Sequence, residues 1–198
     1  MPLAAVGCRL LTPGPGCHSQ ILDILKKRQV KATFFVIGAN CLRFPGTLER
    51  LAREGQEIGN HAWSHEVLPL KSPSSIEEEI RKTSGIIEAH TGSRPTLFRA
   101  PHGWRNPWTN AVARKCGCIP VAWTIGVWDT ERPGAETIAR RTLNGIHDGC
   151  IILLHDGRGV EKGADSSQLV EALPSIIEEI HRRGFRIVAL SQMMEKDR

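Results

Sequence analysis

Residues 150–156 read CIILLHD, an uninterrupted apolar run from Ile151 to Leu154 that ends in the titratable pair His155-Asp156. Such a run predicts a buried strand with polar residues at its carboxyl end. Runs of similar length recur at Ala4–Leu11, Ala32–Ile37, Glu57–Gly59, Thr96–Arg99, Ile119–Thr124 and Arg186–Leu190. Between them lie Ser19–Arg28, Thr47–Glu54, Ser74–His90, Gly134–Asn144 and Ser167–Arg183, each with apolar residues at helical spacing. Ser74 and Glu77 stand three apart, as in a capping box, and Gly92, Gly117 and Gly184 punctuate helix ends. Strands alternating with helices predict an α/β fold with a mostly parallel sheet, open or closed into a barrel. An eight-unit barrel takes about 250 residues, so a chain of 198 residues suits a seven-unit version and a single domain spanning 1–198.

The composition is that of a globular chain, 40% hydrophobic and 24% charged, with a formal net charge of +5. Its basic residues are scattered in pairs (Lys26-Lys27, Arg140-Arg141, Arg182-Arg183) on predicted helices. A solvated helix face explains them better than a nucleic-acid patch, so no nucleic-acid partner is expected. No apolar stretch approaches the roughly 20 residues of a membrane span. The start, MPLAAVGC, lacks a basic n-region and reads as a first strand rather than an export signal. A cytoplasmic location is therefore the expectation unless the N-terminus is incomplete. The six cysteines show neither a CxxC pair nor zinc-ribbon spacing, and buried reduced thiols are the expectation.

Four strand ends carry polar or aromatic residues. They are His61-Ala62-Trp63-Ser64-His65, Arg99-Ala100-Pro101-His102-Gly103-Trp104, Gly126-Val127-Trp128-Asp129-Thr130 and His155-Asp156. In parallel α/β folds, function gathers at the carboxyl ends of strands. His61 and His65 are four apart, and a helical turn there would project both imidazoles to one side for a divalent metal. Zinc is the commonest imidazole-rich choice, with other first-row metals also suitable. The alternative is two ordinary core or surface histidines. His155 suits a general acid, with Asp129 to orient or charge it. The alternative reading makes Asp156 a cap and His155 a backbone-satisfied residue. Arg99 either serves a site or forms a structural ion pair. Trp63, Trp104, Trp123 and Trp128 lie near the same rim; with no tyrosine in the chain, they are its main aromatic surface for a ligand, Trp123 being assigned to the core.

Taken together, these residues resemble the polysaccharide deacetylase family (carbohydrate esterase family 4, the NodB-homology domain). The resemblance covers nearly the whole chain. Asp23–Gly38 is similar to the segment after the family's first motif. His61–His65 resembles H-[ST]-x-x-H, with Ala62 in place of Ser or Thr. Arg99–Gly103 resembles R-x-P-[YH]-G, and Leu153–Asp156 contains L-x-H. Trp123–Pro133 is a variant of D-x-x-D-W, with Gly126 at the first Asp, Asp129 at the second and Thr130 at the Trp. The resemblance implies a distorted seven-unit (β/α) barrel and a hydrolase that removes acetyl groups from N-acetylated or O-acetylated carbohydrate with a divalent metal. It implies His61 and His65 as metal ligands, Arg99 as orienting residue, His155 as acid and Asp129 as its support. Pro101, His102, Trp104, Trp128 and Leu154 would contact an acetylated oligo- or polysaccharide.

The family's first motif, T-F-D-D-G-P, carries the catalytic base and the third metal ligand. Here its place is taken by Leu11-Thr12-Pro13-Gly14-Pro15-Gly16, and the chain has no acid before Asp23. Aligning Gly14-Pro15 with the motif puts Thr12 at the base and Pro13 at the ligand position. Asp23 lies inside the following predicted helix, while Cys17 and His18 are alternative ligands. The expectation is a weak or inactive deacetylase. Two alternatives stand beside it: a carbohydrate-binding member without turnover, and a chain whose first ~17 residues are not native.

Overall fold

The computed structural model describes residues 2–10, 17–157 and 165–196, with backbone alone for 8–10 and 196. In chain order the elements are β1 (Leu3–Leu10), α1 (Cys17–Lys27), β2 (Thr33–Val36), α2 (Gly38–Arg43), α3 (Pro45–Arg53), β3 (Glu57–Asn60), α4 (Pro73–Thr91) and β4 (Leu97–Phe98). There follow α5 (Pro107–Lys115), β5 (Ile119–Pro120), β6 (Ile125–Gly126), α6 (Ala135–Asn144), β7 (Cys150–His155), α7 (Ser167–Arg182), β8 (Arg186–Val188) and α8 (Leu190–Lys196). The chain divides into two compact units.

The first unit comprises Met1–Phe34, Glu54–Glu57 and Trp123–Arg198. In it β1 pairs in parallel with β7, from Ala4 opposite Cys150 to Arg9 opposite His155. It also pairs with β8 through Leu3 to Ala5, and β6 lies parallel on β7. Ala4, Ala5, Ile152 and Leu154 are buried, as the long apolar runs require of strands covered on both faces. On α1, Ile21, Leu22 and Leu25 form the buried stripe; on α7, Leu169, Leu173, Ile176, Ile177 and Ile180 do so. That spacing keeps the apolar residues on one side of each helix.

Phe35–Arg53 and Ile58–Ala122 form the second unit. Here β3, β4 and β5 pair in parallel, Asn60 opposite Phe98 and Leu97 opposite Ile119. Its core gathers Ala62, Leu68, Ile76, Ile80, Phe98 and Val112. Helix α4 opens with Pro73 behind the Ser72 side chain, which accepts from the Ser75 amide. It closes at Gly92 with φ 71°, a left-handed cap suited to glycine.

Several expectations are corrected. The strand expected over Ile119–Thr124 is only β5, Ile119–Pro120, which pairs with β4, and a separate short strand, β6, follows at Ile125–Gly126 on β7; periodicity does not register a change of partner, and Pro120 has no N–H for a ladder. The cap of α4 is Ser72, not Ser74, because Glu77 is held by Arg81 and Lys115. The short helices α2, α5 and α8 were not expected, since they have too few turns for a periodic stripe. His61–His65 is an irregular turn rather than a helical one. Trp123 is half-buried rather than core. Cys41, Cys116, Cys118 and Cys150 are buried thiols as expected, and Cys17 is half-buried. Burial pushes the Cys41 thiol up to about 12.

Candidate active site

In the second unit, polar residues cluster where β3 ends. Asn60 is buried; its side chain donates to the Ile80 carbonyl and the Ser84 hydroxyl and accepts from the Ala62 amide at 2.8 Å. His61 donates its amide to the Val36 carbonyl, and its Nδ1 lies 2.6 Å from the Arg99 carbonyl. A carbonyl only accepts, so Nδ1 carries the proton and, in the neutral ring, Nε2 holds the lone pair. The turn then passes through Ala62 (φ 63°) and His65 (φ 62°). It brings the His61 and His65 ring centroids to 5.2 Å, and His102 to 4.5 Å from His65.

A carboxylate the sequence reading missed holds this turn. Glu79 Oε2 accepts from the amides of Trp63 and Ser64 at 2.9 and 2.8 Å, and Oε1 accepts from the Ser64 hydroxyl at 2.8 Å. Lys71 Nζ stands 3.3 Å from Oε1. Burial alone would push the Glu79 carboxyl up, but Ser64 and Lys71 together hold it below the usual carboxylate range. In the sequence Glu79 sits in the acidic run Glu77–Glu79, which reads as a solvated helix face.

Arg99 is 1% exposed. Its amide donates to Asn60, its Nη2 donates to the Ala122 carbonyl at 2.9 Å, and its guanidinium lies 4.1 Å from the centre of the Phe35 ring. Pro101 is buried and opens a 3-10 turn through His102 (φ 58°) and Gly103. Trp104 follows, 60% exposed, its ring 6.1 Å from that of His102.

The first unit presents a different group. Trp128, 64% exposed and left-handed at φ 58°, leads into a short 3-10 turn at Asp129. The buried Asp129 carboxylate accepts from the His155 amide at 2.7 Å and from Nδ1 of the same ring at 2.8 Å. This double grip orients the imidazole and directs Nε2 as its proton-exchanging nitrogen. Leu154, next to it in β7, is buried. Indole nitrogens of Trp123 and Trp128 flank Gly126, at 3.4 and 3.8 Å from where a Cβ would stand.

The imidazole donors of His61 and His65 match the chemistry of a divalent first-row ion. Among the described residues, however, no group of three His, Cys, Asp or Glu could hold a metal ion. Thr12 and Pro13 lie outside the described residues, as does the rest of 11–16. Asp23 is exposed on α1, whereas His18 is buried in its first turn. No helix among the described residues is long and apolar enough to cross a membrane.

The family model for polysaccharide deacetylase matches residues 12–121, and the chain belongs to that family. It is 35% identical over 188 residues to a chitooligosaccharide deacetylase of Bradyrhizobium sp. (strain ANU 289), covering 91% of this chain and 86% of that protein. The solved structure of the peptidoglycan deacetylase PdaC from Bacillus subtilis superposes with TM-score 0.85 at 34% identity, over 98% of this chain and 90% of that one. A mutant of a CE4-family pseudoenzyme from Bacillus anthracis, with restored enzymatic activity, matches at TM-score 0.89 and 26% identity, over 97% of this chain and 67% of that one. The distorted (β/α) barrel is therefore the fold of this chain.

Proposed function

We propose that residues 1–198 form one carbohydrate deacetylase domain that is weak or inactive as its sequence stands. The observation that carries this reading is a mismatch: the histidine turn, the buried Arg99 and the Asp129–His155 pair are present, while no acid precedes Asp23. The substrate class is acetylated oligo- or polysaccharide, supported by the activities named for the relatives. His61 and His65 would hold a divalent ion, with zinc the first candidate; bound there, the ion would polarise the acetyl carbonyl.

Hydrolysis adds water to the acetyl carbon, breaks its bond to nitrogen, and delivers a proton to the departing amine. His155 suits that last task, because Asp129 accepts from Nδ1 and leaves Nε2 to exchange the proton. Arg99 is fixed by Ala122 and Phe35, so it can orient a neighbouring group without moving. The first-motif position that would carry the base for the water's proton holds no carboxylate in this sequence, and a positioned base contributes about 10²–10⁴ in rate.

The test is the double variant Thr12→Asp with Pro13→Asp, assayed for acetate release from N-acetylglucosamine oligomers and for zinc content. A gain of about 10²-fold or more together with tighter zinc supports the reading. Ordinary turnover with stoichiometric metal in the unaltered chain would overturn it. The second reading, a binding member without turnover, is favoured by the likeness to a pseudoenzyme. It predicts oligosaccharide binding in the unaltered chain and no activity in the double variant.

A further inference from the structure

We propose that Glu79 is the positioning residue of the histidine turn: through the backbone of Trp63 and Ser64 it sets where His65 stands relative to His61. This rests on the reading that the two imidazoles hold a metal.

Ala62 and His65 both lie in the left-handed region, which is unfavourable for a residue bearing a side chain. Such a conformation persists only where its surroundings over-determine it. The H-[ST]-x-x-H pattern offers a hydroxyl at its second position, but here that position is Ala62. The ties come from elsewhere. Asn60 holds the Ala62 amide. The amides of Gly38 and Ala39 donate to the carbonyls of Ala62 and Trp63 at 3.0 and 3.1 Å.

Glu79 takes the next two amides on one oxygen and the Ser64 hydroxyl on the other. The Trp63 ring is seated too closely on Gly38 to shift inward: a Cβ at Gly38 would meet it at 2.4 Å. Between that wall and His65, Lys82 lies over the Trp63 ring at 3.9 Å, while Glu79 holds the amides of residues 63 and 64. Removing it frees those amides, lets φ of His65 relax toward ordinary values, and moves the imidazole from its 5.2 Å approach to His61.

Geometry separates this role from general stability. Glutamine keeps one oxygen that can accept both amides; leucine keeps the bulk and accepts nothing; aspartate keeps the charge but withdraws it by one methylene. The experiment titrates zinc alone into the full chain and follows the His61 and His65 ring resonances by NMR. Parallel measurements record thermal stability and amide exchange at Trp63 and Ser64. Leu48→Ala, buried on α3, serves as a destabilised control outside the turn.

Glu79→Leu and Glu79→Asp are expected to weaken zinc about tenfold or more, the size of effect seen when groups that orient a metal's ligands are lost. Glu79→Gln should restore affinity to within about threefold, and Leu48→Ala should leave it unchanged. Exchange at the two amides should rise in Leu and Asp variants only. Wild-type affinity in a folded Glu79→Leu or Glu79→Asp chain overturns the proposal. So does an equal loss in Leu48→Ala. If zinc shifts neither ring in the unaltered chain, the metal reading itself fails, and this inference with it.

Discussion

The two units orient their histidines by different means. In the first, a side-chain carboxylate grips His155 twice, at its amide and at Nδ1. In the second, a backbone carbonyl fixes the His61 ring, and the carboxylate nearby, Glu79, holds backbone amides of the turn rather than a ring. An imidazole backed by a carboxylate is stabilised when it gains a proton, which suits acid catalysis. An imidazole backed by a neutral carbonyl keeps its lone pair outward at little cost, which suits a ligand. The first arrangement is complete among the described residues, whereas the second still lacks a third donor.

The largest effect that would sharpen this contrast is on rate. In the chain carrying Thr12→Asp and Pro13→Asp, Asp129→Asn should lower acetate release by about 10²-fold and leave zinc affinity unchanged. A matching fall in zinc affinity would break the division of labour. His65→Ala should act in the opposite sense, weakening zinc by about tenfold or more without disturbing the His155 ring resonances.

Smaller effects concern stability. Glu79→Gln should cost about 1 kcal/mol at pH 7. The folded carboxyl is held below its ordinary value of 4.5, so this stabilisation is present above the unfolded value. It fades as pH falls through the folded one. Denaturation curves of the two proteins should therefore differ from pH 8 to about 5 and converge at more acidic pH. A gap that widened in acid would contradict the hydrogen-bond pattern. The smallest shifts are expected for Trp104→Ala and Trp128→Ala, exposed in the second and first units. Each should leave stability within about 0.5 kcal/mol and weaken binding of N-acetylglucosamine oligomers about fivefold, the scale of one aromatic contact. Isothermal calorimetry with the oligomers would measure this.

Much of the fold was legible because β1, β7 and α7 are long and strongly patterned, and hydrophobic periodicity reports burial directly. The helix α5 was not, because Pro107–Lys115 is short and its start is marked by a local capping box of Asn106 and Thr109 around Pro107 rather than by a long apolar stripe. In the site, Asp129 and His155 could be paired in advance because each stands at the carboxyl side of an apolar stretch, although the strand before Asp129 lies later than its pattern indicates. Glu79 could not, since its partners are amides and nothing in a residue's identity marks an amide that needs one. The helical reading of His61–His65 failed for a related reason: spacing gives separation along the chain, whereas Ala62 and His65 take φ values that such spacing does not encode.

The link between His61 and the Arg99 carbonyl has a consequence for how this chain can drift. Because the acceptor is main chain, any residue at position 99 that keeps the local path preserves the imidazole's tautomer. That ring is buffered against side-chain substitution at its partner. The carboxylates of the family's first motif have no such insurance, for a single codon change deletes each of them outright. Where a sequence of this family drifts, backbone-set imidazoles are therefore expected to outlast the acidic side chains of the first motif.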